Sequence, residues 1–181
     1  MVQESSNDFY IVIDANIICD LGCVRPGIMV DPSRITYVEA AGKLFNKMKK
    51  SVKIIIDTQG KIQHEYVSLG ITKNPHLGAI FAELVQSRII TIDSSLSSAE
   101  KRELRIKGMY DSRDQVYVGV AKNILNKRII VTRNCHFYNP RNTSSVGIPN
   151  TIIAKHLKNK FEIYAKTADQ ILSEELVCNL S

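Results

Sequence analysis

The sequence has no run of ~18 consecutive apolar residues, the minimum for a helical membrane span. It also has no basic-then-apolar leader, since it opens on the polar stretch MVQESSND. These two absences argue against a membrane-spanning or secreted protein, and the expectation is a cytoplasmic chain with no membrane partner. There is no CxxC pair either: Cys19, Cys23, Cys135 and Cys178 are scattered, with no neighbouring set of histidines. That spacing argues against a zinc site, because reduced cysteines of this kind are ordinarily small core residues or inert thiols. No internal repeat, low-complexity tract or linker interrupts the chain. With 181 residues there is room for one sizeable core rather than two. We expect a single domain over residues 8–176, with short tails at 1–7 and 177–181.

Positive charge is present in excess. Lys and Arg number 24 against 18 Asp and Glu, giving a net charge of +6 and a pI near 9.1, which favours an anionic partner such as nucleic acid. Lysines that only solvate a surface raise the pI equally well, so charge alone does not name the partner. The 44% hydrophobic and 23% charged residues fit a globular domain rather than a disordered chain.

Short apolar stretches alternate with stretches of helical periodicity. FYIVID (9–14), VKIIID (52–57), RIITID (88–93), RIIVT (128–132) and FEIYA (161–165) read as strands, most of them rich in β-branched residues. Over 36–50, Val38, Ala41, Phe45 and Met48 recur at helical spacing, with Lys43, Lys47, Lys49 and Lys50 on or near the other face. KIQHEYVSLG reads as a helix closed by Gly70, and NPHLGAIFAELVQS as a helix with Asn74 as N-cap and Pro75 in its first turn. A capping box joins Ser97 to Glu100, and Thr167 with Gln170 opens a last helix that runs to Leu176. This alternation predicts a three-layer α/β/α fold with a mainly parallel central sheet.

In such sheets ligands bind beyond the carboxyl ends of the strands, and that rule selects residues. Asp14 ends the first strand, Asp57 the second, and residues 132–134 the fourth; DSRDQVYVGVA opens the preceding helix with Asp111 and Asp114, three residues apart. Carboxylates gathered at one edge repel one another unless a cation lies between them, and Mg²⁺ or Mn²⁺ suits such oxygens. Asp111 alone reads equally well as a helix cap. Asp57 either lines the cleft or only caps the helix that follows.

Other stretches are set aside. DTQGK looks like the DxxG element of GTPases, yet no GxxxxGK[ST] loop precedes it to hold phosphates. DAN after the first strand lacks the second acid of a DxD phosphatase. His64 adjoins Glu65 but points elsewhere on a helix, which suits a solvated or capping role. Lys101, Arg102, Arg105 and Lys107 precede the acidic motif, with Arg113 and Arg133 inside the motifs, and such cations help a polyanion approach a carboxylate centre. An ordinary charged helix face accounts for the Lys101 group equally well.

The acidic set resembles the PIN-domain family in order and approximate spacing. The stretches that carry the resemblance are IVIDANII with Asp14 and Asn16, QHEYVSLG with Glu65, DSRDQVYVGVA with Asp111 and Asp114, and IIVTRNCHF with Thr132 and Asn134. The paired aspartates and YAKTADQIL are most similar to the toxin-like branch. The resemblance implies a metal-dependent endoribonuclease that cleaves single-stranded or structured RNA with Mg²⁺ or Mn²⁺, leaving 5′-phosphate and 3′-hydroxyl ends. It implies that Asp14, Glu65 and Asp114 are the core acids that bind the ion, that Asn134 is a further ligand, and that Asp111 is the additional acid. Asn16 would support Asp14, and Thr132 would supply the hydroxyl after the fourth strand. Arg133 is the first choice for a contact to the RNA backbone, and His136 for one to phosphate or leaving group. An antitoxin protein would be a partner, and the sequence leaves a homodimer open. The chain departs from the family where Asn134 replaces the usual Asp and His136 a frequent second acid. Asn coordinates through its carbonyl oxygen but carries no charge and cannot act as a base. The competing expectation is a catalytically degenerate PIN-like module that binds nucleic acid or serves as a scaffold.

Overall fold

A computed structural model describes residues 9–23, 30, 32–69, 77–79, 81–82, 89–125, 127–134, 136–137 and 151–173. The sheet comprises β1 (Phe9–Ile13), β2 (Val52–Asp57), β3 (Ile89–Ile92), β4 (Arg128–Val131) and β5 (Ile163–Lys166), in the order β3-β2-β1-β4-β5. All pairings are parallel, with Phe9 opposite Val52, Ile54 opposite Ile89, Val12 opposite Ile130, and Arg128 opposite Ile163. Successive side chains on a strand point to opposite faces. Ile54, Ile55 and Ile56 are nevertheless all buried, as are Ile11, Val12 and Ile13, so both faces of the sheet are covered at β1 and β2, while edge strand β3 is partly exposed. The arrangement is a three-layer α/β/α fold.

The helices are α1 (Ala15–Leu21), α2 (Ile35–Ser51) after a 3₁₀ turn at Pro32–Arg34, α3 (Lys61–Leu69), α4 (Ser98–Ile106), α5 (Ser112–Lys122), α6 (Ile152–Phe161) and α7 (Ala168–Ser173). Helix α5 lies across β1, β2 and β4, while α2 packs on α1 and α7. The α4 capping box forms in both directions: Glu100 N–H donates to Ser97 Oγ at 3.2 Å, and Ser97 N–H donates to Glu100 at 2.8 Å. Glu100 also pairs with Lys122 at 2.7 Å and so ties α4 to α5. No helix among the described residues is long and apolar enough to cross a membrane.

The chain runs outward from β1 through β2 to β3, then returns to β4 on the other side of β1 and continues to β5. The direction of winding therefore changes between β1 and β4, and crevices form at such a point. Asp14 and Thr132 follow the last residues of these two strands.

Several expected boundaries shift. Asp14 is not a strand residue but the N-cap of α1, which the sequence does not announce. Most of its residues are buried, so ANIICDL lacks a polar face and reads as an extension of the apolar strand before it. Helix α6 was likewise not anticipated, although Thr151 caps it and Ile153, Leu157 and Phe161 form its buried stripe. FEIYA is split as a result: Phe161 ends α6, Glu162 turns the chain at φ 56°, and the strand starts at Ile163. Within NPHLGAIFAELVQS, residues 77–79 and 81–82 are helical, with Phe81 edge-on to Tyr66 at 5.7 Å; its remaining positions lie outside the described residues. So do Gly70 and residues 174–176, the expected ends of two helices. Cys19 and Cys23 are partly buried on adjacent turns, with Cys23 Sγ donating to the Cys19 carbonyl at 3.5 Å, whereas Cys135 and Cys178 lie outside the described residues.

Helix α5 is set against the segment between β3 and α4. Asn123 Nδ2 donates to the Asp93 carbonyl at 2.7 Å, and a Cβ on Gly119 would stand 2.0 Å from the Ser94 carbonyl oxygen. Gly119→Ala is therefore expected to push α5 outward and cost about 1–3 kcal/mol, the usual range for overpacking. Urea unfolding should show a lower midpoint at unchanged slope. A wild-type midpoint would refute the close approach.

Candidate functional site

Asp14 occupies the start of α1 with extended backbone (φ −74°, ψ 145°), and its own amide donates to the Val131 carbonyl at 2.9 Å. The end of β1 is thereby fixed to the end of β4. Its carboxylate is 6% exposed and accepts from the Asn16 amide at 3.1 Å and from the Thr132 hydroxyl at 2.7 Å. Burial pushes its carboxyl up from 3.8 to about 6; the two hydrogen bonds oppose that shift, and the nearby negative charges of Asp114 and Glu65 add to it.

Asp114 sits in the first turn of α5, where the helix dipole favours an acid. One carboxylate oxygen accepts from Asn134 Nδ2 at 3.1 Å, and the other lies 2.6 Å from His136 Nδ1. That contact calls for the Nδ1–H form of the imidazole. Burial raises the Asp114 carboxyl, with His136 acting against the rise. Asn134 is itself held: its amide N–H donates to Thr132 Oγ1 at 2.9 Å, and its Oδ1 accepts from the His136 amide at 3.0 Å. Thr132 therefore connects Asp14 to the Asn134 loop.

Glu65, on α3, accepts from the Tyr117 hydroxyl at 2.9 Å. The same phenol oxygen accepts from the Ala15 amide at 3.3 Å, so one group links the α3 acid to the residue after Asp14. Burial raises the Tyr117 phenol far above its ordinary range, and it stays a donor. Tyr117 was not singled out from sequence, yet it lies one turn beyond Asp114, a spacing that puts both on one helix face. Tyr66 is buried too, and its hydroxyl donates to the Ile13 carbonyl.

Other expected residues have local partners. Asp111 caps α5 through the Arg113 amide at 2.8 Å and grips the Arg113 guanidinium, which holds its carboxyl below the usual range. Asp57 is a cap as well, accepting from the Lys61 and Ile62 amides at 2.9 and 2.8 Å. Arg133 is committed to Asp20, with contacts at 2.5 and 2.8 Å, and its guanidinium lies 5.3 Å from the Tyr37 ring centre. Arg34 binds the same fully buried carboxylate at 2.5 Å. Asp20 falls inside the apolar ANIICDL, where the sequence gives it no signal. Asn16 supports the site through its Oδ1, which accepts from the Arg133 amide at 3.3 Å. His64, Lys101, Arg102, Arg105 and Lys107 are exposed.

The donors around Asp14 are carboxylate and amide oxygens, which suit a hard divalent cation in kind. In position each is engaged elsewhere, and among the described residues no three His, Cys, Asp or Glu side chains stand so as to hold a metal ion. No family model, curated protein or solved structure matches the chain.

The Asp14 carboxyl gives a prediction for metal-free protein. Its folded-state value of about 6 exceeds the ordinary 3.8, so the folded form binds the proton more tightly and stability falls as pH rises through that window. Two pH units correspond to roughly 3 kcal/mol. Asp14→Asn removes the burden and preserves both hydrogen bonds, since Thr132 Oγ1 can accept from the new amide. In EDTA, thermal melts should show the variant more stable than wild type at pH 7.5 and level with it near pH 4. A variant less stable at both pH values would contradict the burial assignment.

Proposed function

We propose that this chain is a metal-dependent endoribonuclease of the PIN type, acting on RNA with Mg²⁺ or Mn²⁺ in the cytoplasm. One observation carries the reading: acids from three separate segments, Asp14, Glu65 and Asp114, are gathered at the winding change of a parallel sheet through Thr132, Tyr117 and Asn134. Carboxylates so placed favour positive charge between them. A bound divalent ion would supply an activated water and stabilise charge on the phosphoryl oxygens. Asp14, Glu65 and Asp114 would hold it, with Asn134 contributing its amide oxygen. Thr132 fixes the orientation of Asp14, and His136 and Asn134 orient Asp114. Asp111 acts chiefly through α5, by capping the turn that presents Asp114. The toxin-like resemblance adds a small antitoxin as the protein that would cover this edge, and a homodimer stays open as an assembly.

A second reading, a PIN-like module that binds without cleaving, is favoured by one feature. Asn134 and His136 satisfy Asp114 without any cation.

The two readings separate in thermal shift and cleavage of a mixed RNA pool. A nuclease should be stabilised by Mn²⁺ and should cut. Occupancy at about 100 times Kd contributes about 2.7 kcal/mol, or several degrees for a domain this size. Asp114→Asn should abolish the thermal response and lower cleavage at least ~100-fold, by the loss of a ligand. Asp111→Asn, still a competent cap, should reduce cleavage only several-fold. Asn134→Asp should tighten Mn²⁺ binding. If wild type neither responds to Mn²⁺ nor cuts, and Asn134→Asp gains neither property, the binding-module reading replaces the nuclease.

A further inference from the structure

On the other flank of Glu65, α3 and the start of α5 border a cavity of about 720 Å³. Lys61, His64 and Ser68 line it from α3, Ser112 and Arg113 from α5, and Gln59 from the turn after β2. Ile62 and Val116 give it an apolar portion, and Glu65 belongs both to this wall and to the acid cluster. No role in the site described above accounts for it.

We propose that this cavity is a nucleotide subsite that seats one residue of the RNA next to the cleaved phosphodiester. The inference rests on the nuclease reading and names a substrate contact for it. Volume is the first ground: ligand sites typically run from about 300 to 1,000 Å³, enough for a base, sugar and phosphate. Chemistry is the second. Lys61 supplies a positive charge for a phosphate and Arg113, paired with Asp111, further N–H donors, while Gln59, Ser68 and Ser112 offer both donors and acceptors to a base edge or ribose hydroxyls. Ile62 and Val116 suit the face of a base.

The arrangement of the cations favours a bound nucleotide over a stray anion at a helix end. The first amides of α3 are already taken by Asp57, so the helix terminus has little left to offer and the side chains must do the binding. Arg113 is held by Asp111 through Nε and one terminal nitrogen, which leaves its other terminal nitrogen for a ligand. A guanidinium already fixed by a carboxylate loses less freedom on binding than one on a mobile stem. Turn residue Gly60, at φ 72°, lets the chain pass from β2 into α3 quickly enough to place Gln59 and Lys61 on the same rim.

The test uses the whole chain in EDTA, titrated with the four 5′-mononucleotides, the four nucleosides and inorganic phosphate, and followed by isothermal titration and amide chemical shifts. Wild type should bind at least one mononucleotide more tightly than its nucleoside or phosphate, with shifts at Lys61, Ser68 and Arg113. Lys61→Glu and Ser68→Trp, both at exposed positions, should weaken that binding at least tenfold while melting as wild type. Both should keep the Mn²⁺ thermal shift and raise the KM for RNA more than they lower kcat. Unchanged mononucleotide affinity in both variants, or phosphate bound as tightly as the nucleotide, overturns the subsite and leaves the nuclease reading standing. Should Ser68→Trp fail to fold, Lys61→Glu decides alone. Nucleotide binding lost in the variants of a protein that neither cuts RNA nor responds to Mn²⁺, even as Asn134→Asp, overturns the nuclease and with it the placement of this subsite beside a cleaved bond.

Discussion

A carboxylate removed from water at the end of the central strand is the constraint on which the rest of the site depends. An ionised group in that position is costly unless its surroundings compensate, and the neighbours of Asp14 do so in part. The start of α1 offers the Asn16 amide, and β4 ends in Thr132, whose hydroxyl donates to the second oxygen. Asp114 and Glu65 then work in the opposite sense, adding negative charge from two further helices. The balance leaves the site short of positive charge. Two things relieve that shortage, a proton or a cation, and at neutral pH the proton is scarce.

The fold was largely legible because its strands are nearly continuous apolar runs bounded by charged residues or turns, as parallel strands covered on both faces should be. β2 matches its expected limits, and the α4 capping box forms as read. What escaped notice follows from the same physics. Helix α1 has too little polar face to reveal a helical period, and α6 was hidden because its last apolar residue, Phe161, was read as the opening of the next strand. Asp14 is legible as the end of a strand and Asp114 as the opening of the helix before β4, whereas Glu65, within α3, is singled out only by the family resemblance. The partners of these acids are not legible, because a tyrosine such as Tyr117 inside an apolar helix looks like core until its hydroxyl is seen to join Glu65 to the Ala15 amide.

Net charge proved a coarse guide to where cations act. Arg133 and Arg34 close on Asp20, Arg113 on Asp111, Lys122 on Glu100, and Arg128 donates to the carbonyls of Ile124 and Phe161. Several of the basic residues thus fasten elements together. The Asp20 pair is the clearest instance: two guanidiniums on one buried carboxylate tie α1 to the entry of α2 and to the loop after β4. Removing either partner of such a buried pair leaves a charge uncompensated in the interior, which makes the junction hard to alter piecemeal. Arg133 is thereby held on Asp20 rather than on the acids of the site.

Thr151 holds the start of α6 with one hydroxyl used twice, accepting from the Ala154 amide and donating to the His136 carbonyl at 2.5 Å. The chain therefore leaves the site at residue 137 and comes back at 151 to nearly the same point. A push on the start of α6 is therefore passed through a single hydroxyl to the backbone of the residue whose ring meets Asp114, so that helix is mechanically geared to the acid cluster.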